Sequence, residues 1–494
     1  MVKGNMGRRF CLLLLVIMCG FSACAGKEQT EALQSALEAG TANGGEDNTV
    51  ADADAASKDA ADAGADTATE GGESINAVEN AGTASRDAAN AGAGTANAGG
   101  DDANAGAAKD NTSGETDTSN EASMNADTDT DGTQATAAPQ KEEPYSFLYE
   151  FASDYSYQML SKEEQIWYRD IEVALGEMRS EYKLSGECLK MGMSGKAIDK
   201  IFQCVLNDHP EIFYVSGYTY TEYCRGDEVI AISFQGSYDM KRKEAMERRE
   251  EIEKEAGRIL DGISAKASEY DKVKYVYDTI IKSTDYSIEA SDHQNIYSVF
   301  VGKESVCQGY AKAAQYLLNH LGIESTLVHG KIIETGESHA WNLVQVDGSY
   351  YYIDTTWGDA SYKMPSNSAN AENSPEINYD YFCITTKQLL CTHMIEHCVM
   401  LPECVDMAAN YYVRESVLFE SYDKEQMQQL FQRELGSGKT DITIKCASAE
   451  CYQSIKTALV DNQEIFQYIT GQNITISYAC NEKQLSLTFW MTNP

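Results

Sequence analysis

Apolar and polar positions alternate along the chain with periods that assign elements from about residue 144 onward. Residues 145–189 read as helical and rich in aromatics, and residues 194–206 as an amphipathic helix closed by Asn207-Asp208-His209-Pro210. His209 beside Pro210 reads as a turn residue. Residues 213–223 and 229–234 look like two strands around the turn Arg225-Gly226-Asp227. Residues 241–263 form a charged helix whose acids and bases suit i,i+4 pairing on a solvated face. Residues 268–283 make another helix with Val273, Tyr277 and Ile280 on one side, and 286–301 read as a connecting loop. Tyr310, Ala314, Leu317, Leu318 and Leu321 recur at helical spacing, with Gly322 as the stop. Ser305 and Gln308 have the spacing of a capping box at its start. Residues 338–346 then alternate, Asp347-Gly348 marks a tight turn, and residues 349–354 return as a tyrosine-rich strand. Residues 364–375 are polar and loop-like, and 379–390 look strand-like, then helical. From Tyr422 a helix, a strand, a helix and a final hairpin near Asn481-Glu482 suggest a small α+β module. The expected class is α+β, with an N-terminal module at 144–265, a core at 266–365 and a C-terminal region at 366–494.

The first 140 residues change this picture. Residues 1–24 combine Lys3, Arg8 and Arg9 with a short apolar run and end in Phe21-Ser22-Ala23-Cys24. The run is too short to span a bilayer comfortably, and small residues before a cysteine resemble a bacterial lipoprotein cleavage box. Cys24 is therefore the expected lipidation site, with an ordinary secretory signal as the alternative; both export the chain. Residues 25–140 are Ala, Asp, Gly, Thr, Asn, Glu and Ser with almost no large apolar side chain. They are expected to be a disordered, acidic tether. The net charge is −38, and half of it falls there. The acidity describes the tether more than a binding face. Asp127, Asp129 and Asp131-Gly132 start like a calcium loop, but the twelfth position is Ala138 where a bidentate Glu is needed. No basic patch suggests nucleic acid.

The candidate chemistry centres on Cys307. It lies in the first turn of the helix that starts at the Ser305–Gln308 cap and stops at Gly322, and helix N-termini favour anions such as a thiolate. A two-residue hairpin at Asp347-Gly348 sets Val346 opposite Ser349 and Trp341 opposite Asp354. His339 then becomes the diagonal neighbour of Asp354, about 7–8 Å away at the backbone and within side-chain reach. A thiol, an imidazole and a carboxylate in this relation match a nucleophile, a base and an orienting group. Here the chain resembles the transglutaminase-like superfamily, with its papain-like core. The matching residues are Val306-Cys307-Gln308-Gly309-Tyr310-Ala311, Ser338-His339-Ala340-Trp341-Asn342 and Tyr352-Ile353-Asp354-Thr355-Thr356-Trp357. The resemblance covers about residues 270–362. It implies a nucleophile at a helix N-terminus packed on an antiparallel sheet, with Cys307 as nucleophile, His339 as base and Asp354 as orienting group.

Other residues carry less. Trp341 shares a face with His339 and is a pocket or core residue. Gln308 is an oxyanion candidate, though capping explains it better. Gln294 and Asn295 precede the thiol and are further oxyanion candidates, beside the backbone N–H of Cys307. His320 and His329 belong to no motif and read as structural or solvated. Cys383, Cys391, His393, His397, Cys398 and Cys404 form a rival cluster, because such residues at short spacing can hold zinc. Disulfides are the first reading for these cysteines in an exported chain, with reduced structural thiols as the alternative. The expected function is a membrane-anchored, extracytoplasmic thiol enzyme acting on amide bonds of a protein or peptide, cell-wall peptide included. It needs no metal or organic cofactor. The rival class is a non-catalytic surface binding module on the same scaffold.

Overall fold

The computed structural model describes residues 75–83, 154–360, 375–469 and 475–492. The expected signal segment, Cys24, most of the tether, the calcium-like run and most of the 364–375 loop lie outside them.

The N-terminal module packs two helices, α1 (Lys162–Gly176) and α2 (Ile198–Asp208), on a four-stranded sheet ordered β1-β3-β4-β2. Its strands are β1 (Ile75–Thr83), β2 (Tyr182–Lys183), β3 (Val215–Arg225) and β4 (Glu228–Tyr238). The aromatic stretch expected to be helical is broken into α1, two one-turn helices and β2. Ser161 and Glu164 close a capping box at the start of α1. β1 lies inside the segment expected to be disordered, and it pairs antiparallel with β3 over its whole length. Composition did not announce it because an edge is extended by backbone hydrogen bonds, which need no apolar side chain.

Two helices follow: α3 (Arg242–Leu260), charged as expected, and α4 (Glu269–Ser283). The 286–301 stretch is only partly a loop. Short strands β5 (Asp285–Tyr286) and β6 (Glu304–Ser305) pair in parallel, and residues 298–302 form a π-helical turn ending on Lys303 at φ +62°.

The central layer is helix α5 (Cys307–His320) against an antiparallel sheet ordered β10-β7-β8-β9. Its strands are β7 (Ser325–Ile332), β8 (Ser338–Val346), β9 (Ser349–Ile353) and β10 (His393–Ile395). The β8–β9 hairpin has the expected register, with Val346 opposite Ser349, and both turn residues have positive φ: Asp347 +51° and Gly348 +83°. β8 alternates without exposing a face, since every residue from His339 to Val344 is buried. Val344 and Val346 join Tyr310, Ala314 and Leu317 in the main core, while Trp341 and Leu343 join Val328, Tyr352 and Tyr381 in a second cluster. That main core also takes in Trp167, Phe202 and Phe234, so the N-terminal module and the central layer share one apolar interior.

The C-terminal region has its own core under a sheet ordered β11-β12-β14-β13: β11 (Leu418–Phe419), β12 (Asp441–Cys446), β13 (Thr475–Asn481) and β14 (Ser486–Thr492). It is joined to the central layer through Asp380. Asp380 Oδ1 accepts from Tyr412 Oη (3.0 Å) and Lys445 Nζ (3.2 Å), and Oδ2 from Asn481 Nδ2 (2.8 Å) and Ser486 Oγ (2.6 Å). Residues 379–381 are a 3-10 turn rather than the strand expected. The class observed is α+β, as read from the sequence.

Candidate active site

Cys307 is the first residue of α5 and is 5% exposed. The capping box expected there does not form. Val306 is the N-cap, with extended backbone and no side-chain cap. Ser305 Oγ turns the other way, 2.8 Å from the carbonyl oxygen of His293 and 2.7 Å from Ser298 Oγ. Ser298 Oγ in turn lies 2.8 Å from the carbonyl oxygen of Asn295. The serine is spent on pinning the preceding segment, so Gln308 has no cap partner. Gly309 explains why that segment lies so close. A Cβ there would collide with Ser305 Oγ and come within 2.9 Å of the His293 carbonyl oxygen and 3.2 Å of that of Asn295.

Asp354 is fixed by its own chain. β9 stops at Ile353, and Asp354 is the N-cap of a one-turn helix, residues 355–358. Its Oδ1 accepts from the N–H groups of Thr356 and Trp357, both at 3.0 Å. Its Oδ2 accepts from His339 Nε2 at 2.8 Å. The diagonal read from the hairpin register therefore carries the expected side-chain bond. With Nε2 on the carboxylate, Nδ1 of His339 is the nitrogen left for Cys307, whose side chain favours the charged ring.

His339 and Asp354 are almost wholly buried. Burial opposes a charged imidazole, but the charge and hydrogen bond of Asp354, with the contact to Cys307, outweigh it and raise the His339 pKa to about 10. Burial opposes the carboxylate as well. Contacts from His339 and His393 override it and hold Asp354 well below the usual carboxylate range. The carboxylate and Cys307 thus both favour a charged His339 ring between them. Around it, Trp341 lies 5.9 Å from the His339 ring at 28°, and Trp357 lies 6.1 Å away at 52°. A cleft of about 310 Å³ opens beside Trp357, between the central layer and the C-terminal sheet, with Tyr381, Thr392 and Trp490 in its lining. Asn342 Nδ2 donates to the Ala311 carbonyl at 3.0 Å and ties β8 to α5.

The structure brings Cys307, His339, Asp354 and Trp341 together. Gln308 is half-buried in the first turn of α5, and Gln294 half-buried in the segment packed on Gly309. Asn295 serves that segment, accepting from Tyr297 N at 2.9 Å. His320 bonds the Tyr316 carbonyl and His329 bonds Asn207, both structural. His209 is more than a turn residue. It sits between Glu172 (3.0 Å) and Glu211 (2.8 Å) and is buried.

The rival cluster does not converge. Cys391 is exposed, Cys383 and Cys404 lie in different cores, and Cys398 Sγ lies 3.5 Å from Cys204 Sγ. The eleven described cysteines are free, the reduced alternative of the sequence reading. His393 was read as part of that cluster, yet its Nε2 lies 3.1 Å from Asp354 Oδ2. His339, Asp354 and His393 are the one group among the described residues whose donor atoms converge enough to hold a metal. Both imidazole nitrogens already bond the carboxylate, which accounts for the convergence without an ion.

A family model of the transglutaminase-like superfamily matches residues 258–355, a stretch that contains all three groups. This region is a transglutaminase-like domain. The kyphoscoliosis peptidase of Mus musculus is 24% identical over 115 residues, covering 20% of this chain and 17% of that protein's length. The crystal structure of a TGase has 19% identity over 30% of this chain and 47% of its own, at a TM-score of 0.22. The periplasmic domain of TgpA from Pseudomonas aeruginosa has 12% identity over 29% of this chain and 73% of its own, at a TM-score of 0.17.

Proposed function

We propose that the chain is a thiol enzyme that acts on amide bonds through a covalent acyl-enzyme. The observation that carries this reading is the 2.8 Å bond from His339 Nε2 to the buried Asp354, which leaves Nδ1 for Cys307. In this scheme Cys307 Sγ attacks a carboxamide or peptide carbonyl carbon. The oxyanion is met by the backbone N–H of Cys307, which as the first helical residue has no intrahelical acceptor. His339 Nδ1 gives its proton to the departing nitrogen as the C–N bond breaks. Water or an amine then attacks the thioester, His339 takes the incoming proton, and the thiolate leaves. Asp354 holds the ring in the tautomer both steps need. Water gives a peptidase or deamidase; a lysine amine gives a cross-linking transferase. We favour hydrolysis, since among the described residues no side chain marks a dedicated amine site. We also propose an extracytoplasmic enzyme, lipid-anchored at Cys24, with the 25–140 segment as its tether and a protein or cell-wall peptide as substrate. That part rests on the N-terminal sequence.

The test is incubation with casein, with and without a biotinylated primary amine. Ammonia or new N-termini mark hydrolysis, and biotin on casein marks transfer. Either must vanish in Cys307→Ala. No product of any kind, with an unreactive Cys307, would leave the binding module.

A further inference from the structure

We propose that His393 is a second histidine of this site, a positioning residue that holds Asp354 Oδ2 beside His339 and limits how tightly the carboxylate grips the imidazolium. The inference rests on the Cys307–His339 reading above.

The four acceptor positions of Asp354 are all taken. Two backbone N–H groups fill Oδ1, while His339 at 2.8 Å and His393 at 3.1 Å share Oδ2. His393 is placed there by construction. It heads β10, the edge strand paired to β7, and is wholly buried against Trp357 (4.6 Å), Trp341 (5.0 Å) and Tyr381 (5.7 Å). β7 brings it close to His339 through a glycine. Gly330 pairs with His339 on one side and Ile395 on the other. A Cβ at Gly330 would strike the Met394 carbonyl and meet the Trp341 ring at 2.5 Å.

The proton positions follow from the neighbours. Asp354 is an anion and can only accept, so His393 carries a proton on Nε2. Thr392 Oγ1 lies 2.8 Å from His393 Nδ1 and 3.4 Å from the Leu389 carbonyl. With the hydroxyl donating to Nδ1, the arrangement we propose, His393 is neutral. Two imidazoliums with centroids 5.3 Å apart on one oxygen would repel each other. The single positive charge thus rests on His339, the ring that meets the thiol. The titratable groups that bear on the pair include Cys307 from α5, Asp354 from the end of β9, Tyr277 of α4 and Tyr381 from the 379–381 turn. A neutral N–H on Oδ2 draws charge from it and eases release of the His339 proton to the departing nitrogen.

The full chain is labelled at Cys307 with iodoacetate and with iodoacetamide from pH 5 to 11, and the peptide is read by mass spectrometry. The charged reagent is favoured while the imidazolium stands beside the thiolate. The iodoacetate-to-iodoacetamide ratio therefore drops where His339 loses its proton. His393→Leu is expected to move that drop upward by about one pH unit, a tenfold change in proton affinity. In His393→Gln an amide N–H reaches the same oxygen, and the drop should return toward the wild-type position. An unmoved drop in folded His393→Leu overturns the inference, and so do equal shifts in both variants. Stoichiometric metal bound through His339, Asp354 and His393 overturns it too. If wild-type Cys307 shows no labelling at low pH, the thiol-enzyme reading itself fails, which is a separate result. If His393→Leu does not fold, 15N-histidine spectra of the wild-type chain decide. His393, assigned by the loss of its signal in His393→Gln, should be a neutral ring protonated at Nε2, and a doubly protonated ring there overturns the inference.

Discussion

Gly309→Ala tests the packing that sets the start of α5. An alanine inside a helix ordinarily gains about 1 kcal/mol over glycine. Here the new Cβ meets the His293 carbonyl at 2.9 Å, the Asn295 carbonyl at 3.2 Å and Ser305 Oγ closer still. Two of these are backbone atoms, and Ser305 is held by its contacts to His293 and Ser298. Overpacking of this kind costs about 1–3 kcal/mol, and the upper end applies where nothing can swing away. The net expectation is a loss of about 2 kcal/mol. Gly257 in α3 is the control, since a Cβ there meets nothing within 4 Å. Gly257→Ala should therefore gain about 0.5–1 kcal/mol. Urea unfolding followed by tryptophan fluorescence reads both. Gly309→Ala that is neutral or stabilising would refute the claim that the 293–305 segment is clamped on the helix start.

Further outcomes follow from the site and its supports. Asp354→Asn turns an amide N–H toward His339 and imposes the wrong tautomer. With the Asp354 charge and bond lost, burial outweighs the remaining contribution of Cys307, and the His339 pKa should fall from about 10 to below 6.5. Labelling of Cys307 at pH 6, measured against exposed Cys391, should then drop on the order of a thousandfold. His209 is held at about 10, because Glu211 and Glu172 outweigh a burial that opposes its charge. His209 and His339 thus have folded pKa values above the unfolded value near 6.5. Their stabilisation is complete below pH 6.5 and declines as pH rises. Between pH 6.5 and 8 stability should fall by up to about 1.4 kcal/mol per pH unit for each, and His209→Gln should roughly halve the slope in a pH series of urea midpoints. Above that range Lys312, lowered to about 8 by burial, acts in the opposite sense. Asp380→Ala leaves Lys445 buried without its anion and should cost about 3–5 kcal/mol in thermal unfolding.

Much of the site is legible in the chain because a hairpin is a rigid ruler. A two-residue turn at Asp347-Gly348 sets the register that places His339 near Asp354, where a three-residue loop would have shifted it by one. Cys307 is legible because the apolar period of α5 fixes where the helix starts. What failed, failed where a side chain had two uses. Ser305 and Gln308 have the spacing of a cap, yet the backbone of residues 293–295 competes for the serine and wins. β7 went unread because His329-Gly330-Lys331 interrupts its apolar run; the glycine there is a crossing point for two strands. His393 drew notice only as a zinc ligand, since a three-residue edge strand leaves no periodic trace. β1 was hidden because a composition of small and acidic residues says nothing about backbone pairing at an open edge.

The most direct measurement is the rate of Cys307 alkylation by iodoacetamide from pH 4 to 9, in the wild-type chain and in His339→Ala. Rapid labelling that persists well below pH 8 and collapses in the variant is the predicted result. It would establish the thiolate–imidazolium pair on which the proposed chemistry depends. Slow labelling that rises only near about pH 8.5, alike in both proteins, would contradict the account and leave a transglutaminase-like scaffold without a working nucleophile.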